Sequence, residues 1–139
     1  MASEKEIVDE LDFLTDRLST QVRTTALGAL AFSWGMLIGN SEVTKNLTAQ
    51  LKWHLVGVCA LSVLTMFLDF AQYCAGYKGT RAVQRAAERA ENHQAEWDEN
   101  SLYFRLRVFF FGAKMATLSA TVFWLLGALA YWLVTSYSQ

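Results

Sequence analysis

Charged and apolar positions are segregated along this chain rather than interleaved. Thr24 to Ser41 holds no charged residue, Trp53 to Tyr77 holds only Asp69, and Met115 to Gln139 holds none. A helix that crosses the hydrocarbon core of a bilayer needs ~20 mostly apolar residues, and Met115 to Val134 supplies them outright. The other two stretches do so with threonines, an asparagine and one acid toward their ends. A buried helix of a water-soluble bundle keeps a polar face, whereas Ala26 to Gly39 and Met115 to Val134 offer only Ser and Thr. The pattern predicts three transmembrane helices.

The remaining segments also read as helix. Ile7, Leu11, Leu14 and Leu18 recur at helical spacing, with acids crowding the first turns and Arg17 and Arg23 following, as the helix dipole prefers. Ser3 and Glu6 have the spacing of a capping box. With no proline anywhere in the chain, one helix is expected from about Ser3 to Gly39. Its apolar stripe suits either packing on its own chain or the membrane, or a seam between subunits. Thr80 to Asn100 is dominated by Ala, Gln, Glu and Arg, strong helix formers, and Gly76 and Gly79 mark a possible bend before it. The expected organisation is an amphipathic helix over 1–23, a first span over 24–41, a short external loop over 42–52, a second span over 53–77, a cytoplasmic helical segment over 78–107 and a third span over 108–137. The fold class is thus all-α and integral to the membrane, with three transmembrane helices and helical cytoplasmic extensions.

Composition narrows the function. Charged residues make up 18% of the chain and hydrophobic ones 53%, with a formal charge of −1. That excludes a disordered chain and a polybasic nucleic-acid binder, and two cysteines exclude a disulfide-stapled module. Cys59 and Cys74 lie about 22 Å apart along one helix and cannot pair within the chain. Lys78, Arg81, Arg85, Arg89, Arg105 and Arg107 outnumber the two lysines between the first spans. The positive-inside rule therefore predicts a cytoplasmic N-terminus and an external C-terminus. The acidic N-terminal residues are not those of a cleavable signal.

Two ionisable residues fall well inside the expected spans at similar depth, Asp69 and Lys114. Charges at that depth face a bundle interior or water and find a partner. The simplest assignment is a pair between them, within one chain or between chains, serving as a structural salt bridge or as a site lining or gating a water-filled pathway. Ala31, Gly35 and Gly39, and again Gly112, Ala116 and Ala120, repeat at the four-residue interval that brings helices together in lipid. They are expected to pack an oligomer, which any transport function needs because three spans enclose no pathway alone. Lys78, Arg81, Arg85 and Arg89 form one basic stripe. It suits anionic lipid headgroups or, ringed round an oligomer with Arg105 and Arg107, a nucleotide or oligonucleotide, with Trp97, Tyr103 and Phe104 available to stack bases. His54 is expected at the outer interface as a headgroup contact. No metal-ligand spacing, nucleophile motif or phosphate loop is present, so neither an enzyme nor a cofactor is expected.

An acidic N-terminal helix, small-residue-rich spans and an Arg-striped cytoplasmic helix together resemble the small membrane effectors of bacterial antiphage defence. SLATT-type proteins and the membrane component of the Hailong system are similar in layout, although three spans depart from the two usual in SLATT proteins. The resemblance implies a homo-oligomeric channel, tetrameric or larger, in the bacterial inner membrane. A nucleotide signal on the basic stripe would hold it closed or open it during infection. A holin-like permeabilising protein and a structural or regulatory subunit of a larger membrane complex are the alternatives.

Overall fold

The computed structural model describes residues 4–89 and 100–137, with side chains for 14–89 and 100–136. The chain folds into three helices: α1 (Glu4–Ile38), α2 (Glu42–Arg89) and α3 (Leu102–Tyr137). Expected features on Ser3, on the side chains of Ile7 and Leu11, and on Trp97 lie outside the described residues.

Two serines start the second and third helices. The Ser41 hydroxyl accepts the Thr44 amide at 3.2 Å and the Ser41 carbonyl accepts the Lys45 amide at 3.0 Å, the arrangement of an N-cap. Ser101 does the same for Phe104 at 3.3 Å and Arg105 at 3.2 Å. Glu42 adds an acid to the first turn of α2, where the dipole favours it. The turn between α1 and α2 is very short, which makes the two helices antiparallel. A Cβ on Gly39 would sit 2.8 Å from Thr44 Cγ2, so this position has to be glycine for the turn to close. Gly39 thus serves the turn within its own chain. Thr48 Oγ1 donates to the Met36 carbonyl at 3.0 Å, satisfying one acceptor that the end of α1 leaves open.

Residues 42–52, expected as a loop, form the opening turns of α2. Ser41 caps this segment and no proline or glycine interrupts it, so the helix begins well ahead of its apolar run. Gly76 and Gly79, where a bend is expected, do not break the helix, and α2 is continuous to Arg89. Those glycines admit α3 instead: their Cβ positions would lie 3.8 Å from Arg107 Cδ and 3.4 Å from Tyr103 Cβ.

α2 packs along both neighbours, whereas α1 and α3 touch sparingly. The inward face of α2 carries Leu47, Leu51, Leu55, Val58, Ser62, Thr65, Asp69, Gln72 and Ala75. These positions are spaced three or four residues apart, alternating from Leu55 to Gln72, the spacing of a left-handed helix seam. Near the α1–α2 turn the interior is apolar: Leu47, Leu51, Leu55 and Ala128 are buried, with Met36, Leu125 and Trp132 against them. Toward the other end it becomes polar, with Ser19, Ser33, Ser62, Thr65, Asp69, Gln72, Lys114 and Thr121 buried. The outside carries the large apolar side chains, Trp34, Phe67, Phe70, Phe109, Phe123 and Val134 among them. Polar inside and apolar outside suits a hydrocarbon surround rather than water.

Two of the helices, α2 and α3, are long and apolar enough to cross a membrane. The apolar half of α1 is shorter than theirs and is interrupted by Thr24, Thr25 and Ser33.

Candidate functional site

All three helices meet at a cluster of charges in the polar half of the interior. Lys114 on α3 has no solvent exposure. Its Nζ donates to Asp69 Oδ1 at 2.7 Å and to Ser19 Oγ at 2.8 Å, and it lies 5.3 Å from the centre of the Phe111 ring. Two acceptors and a ring face account for the three directions of an ammonium group. The other oxygen of Asp69 accepts from Arg23, at 2.9 Å from Nη2 and 3.2 Å from Nε. Arg23 is placed differently from Lys114: its side chain is 49% exposed and it leans over Tyr73, 5.6 Å from the ring centre.

The pair expected between Asp69 and Lys114 therefore forms within one chain, joined by two residues of α1. Two cations share one carboxylate. The fully buried one relies on it most, because Arg23 also reaches the surface. The pair lies inside the protomer rather than on an outward face, and thus fixes the register of three helices at one level.

A ladder of hydroxyls continues from Lys114 toward the α1–α2 turn. Thr65 and Thr117 Oγ1 atoms are 3.0 Å apart across α2 and α3, and each also lies within reach of a carbonyl one turn back. Thr121 is buried beyond them and donates to the Thr117 carbonyl at 2.7 Å. Ser33, Ser62 and Gln72 Oε1 are buried without a partner among the described residues. Because Thr117 keeps the Ala113 and Lys114 carbonyls as acceptors when the Thr65 hydroxyl is removed, Thr65→Val is expected to cost only ~0.6 kcal/mol, the usual scale of such bonds in lipid. Thermal unfolding in one detergent checks this; a loss several times larger would mean the hydroxyl carries more than a helix contact.

On the far side of Lys114 from the hydroxyl ladder, a cavity of about 480 Å³ opens between α1 and α2. It runs from Asp16 and Thr80 to Ser19 and Gln72, with Arg107 in its wall. A group entering from that end would meet Ser19, the hydroxyl that accepts the Lys114 proton.

The basic stripe is displayed outward. Lys78, Arg81, Arg85 and Arg89 are exposed, and none forms an ion pair among the described residues. Arg81 stacks 5.4 Å from the Tyr77 ring centre, and Glu88 is engaged by Gln84 at 3.0 Å. Arg105 is exposed, whereas Arg107 is half-buried beside Gly76, so the six basic residues do not share one surface. Ala31, Gly35, Gly112, Ala116 and Ala120 are all exposed, and a Cβ at Gly35 or Gly112 would meet nothing within 4 Å. These small residues do not pack the three helices of one chain together.

His54, expected as a headgroup contact, has a protein partner: its Nδ1 accepts the Trp124 indole N–H at 3.1 Å. Among the described residues no group of His, Cys, Asp and Glu could hold a metal ion.

Ser19, Arg23 and Gln72 were not among the sequence candidates. The signal that could have found them is the seam itself, since Ser19, Val22, Ala26, Ala29 and Ser33 on α1 follow the three-and-four spacing that α2 shows around Asp69. Comparison with known protein families, with curated proteins and with solved structures finds no match.

Proposed function

We propose that the protein is a homo-oligomeric membrane pore subunit with three spans, its basic helices in the cytoplasm serving as the control surface for a nucleotide or oligonucleotide. The observation that carries this reading is the outward direction of the small-residue columns on α1 and α3. A glycine that contacts nothing in its own chain, on a helix surrounded by lipid, has its use in the close approach of a neighbouring helix. The protomer interior is filled by Lys114, Thr65, Thr121 and the leucines, so a conducting path lies between subunits rather than through one. The buried charge cluster then acts as a clamp that keeps each protomer rigid while protomers move against one another. Exposed guanidinium groups that form no ion pair among the described residues, one of them stacked on Tyr77, supply the chemistry for phosphates and bases.

Native mass spectrometry of the detergent-purified protein, combined with ion flux from liposomes, tests this reading. The expected result is one discrete homo-oligomer and measurable flux. Gly35→Leu and Gly112→Leu should dissociate it, with each 1.4 kcal/mol of lost contact shifting association about tenfold, and flux should fall in parallel. A monomer with no flux, unchanged by either substitution, would leave a subunit of a different complex as the better account.

A further inference from the structure

We infer that the outer face between α2 and α3 holds one anionic phospholipid per protomer, its acyl chain in an aromatic groove and its phosphate at Lys78. The groove has a volume of about 310 Å³. Its walls are Phe67 and Phe70 on α2 and Leu106 and Phe110 on α3, and small residues, Ala71 and Cys74, form its floor. Such a slot is shaped for a run of methylene groups and offers nothing for a polar molecule to bond along its length. At one end the character changes, with Lys78 and Tyr103 at its mouth. An ammonium and a phenol above an aromatic slot match the order of headgroup and chain in a phospholipid.

The charge around the mouth decides between a zwitterionic and an anionic lipid. Neither residues 70–87 of α2 nor residues 102–113 of α3 include an acid, and Lys78 is the charged side chain that lines the groove. Lys78 has no ion-pair partner among the described residues. A cation at the membrane surface without an internal counter-ion attracts an anionic headgroup, and basic pockets between spanning helices hold such lipids. A free phosphate would gain the charge but leave the groove empty, so the lipid is the occupant that uses both features. The inference needs α2 and α3 to span the membrane and is independent of whether the protein conducts.

The test is retention of lipid by the full-length protein after exchange from vesicles of phosphatidylcholine containing phosphatidylglycerol, read by native mass spectrometry. One phosphatidylglycerol per protomer, retained over phosphatidylcholine, is expected. Lys78→Ala should lower retention about fivefold, the scale of one basic residue at a charged surface. Ala71→Phe, which fills the floor and keeps every charge, should lower it similarly, and Leu106→Trp closes the slot from the opposite wall should the first variant misfold. Lys52→Ala, near the other end of α2, should change nothing. Equal retention of the two lipids would overturn the inference. So would full retention in a folded groove-filled variant, because attraction would then be to the basic surface alone. Loss of flux with lipid retention intact would count against the pore and leave this site standing.

Discussion

Asp69→Asn is expected to be the most damaging single substitution in the protein. It keeps the shape of the side chain but leaves Lys114, with no solvent exposure, and Arg23 facing each other across a neutral group. Removing one member of a buried ion pair costs about 3–5 kcal/mol, because the other charge stays buried without compensation. Lys114→Met should cost less, since Asp69 keeps its two contacts from Arg23 at 2.9 and 3.2 Å. The double variant Asp69→Asn, Lys114→Met removes both buried charges. Arg23, already half exposed, can then extend its long side chain toward the membrane interface, so most of the loss should be recovered. A cycle of thermal or denaturant unfolding on the four proteins gives the coupling. Additive losses would show that the two residues do not act as a pair, and the interior would need a different account.

The second large effect lies at the other end of the interior. Leu55 is fully buried among Leu51, Ala128 and their neighbours. Leu55→Ala should cost about 2–5 kcal/mol by opening a cavity that rigid helices cannot close. The lower end of that range is expected. In lipid the lost term is packing contact, since hydrocarbon outside the bundle is as apolar as the interior. Leu55→Met, close in volume, should cost under ~1.5 kcal/mol. Denaturant unfolding in mixed micelles separates the two. If alanine were tolerated as well as methionine, the apolar end would be loosely packed and would not set the helix spacing.

How far the sequence spoke for itself can be seen in particular residues. The helical class was legible because nothing contradicts it: no proline, capping serines at 41 and 101, and long runs of strong helix formers. The partnership of Asp69 and Lys114 was legible from depth alone, since two lone charges in apolar helices at one level have few other ways to be satisfied. Its α1 members were not, because Arg23 and Ser19 sit ahead of the apolar run, where a residue looks like solvent-facing sequence. Long side chains reaching one turn past a segment boundary leave no trace in composition. Residues 42–52 were misread as a loop for a related reason. Charge and polarity mark where the apolar surround ends, and a helix does not stop there unless a breaker stops it. The small-residue columns show a further ambiguity: their spacing announces a close helix contact but is silent on whether the neighbour belongs to the same chain.

The uninterrupted course of α2 has a mechanical consequence. At 1.5 Å per residue its 48 residues extend ~70 Å, more than twice a hydrocarbon core of about 30 Å. From the charge cluster at Asp69 to Arg89 the helix runs unbroken for ~30 Å. A stiff rod pivoting near the cluster amplifies motion: a tilt of about 10° there displaces the Arg89 end by ~5 Å on that length. Read in the other direction, a displacement at the far arginines reaches the buried carboxylate through the stretch where α3 packs on Gly76 and Gly79, so any such motion carries α3 along with α2.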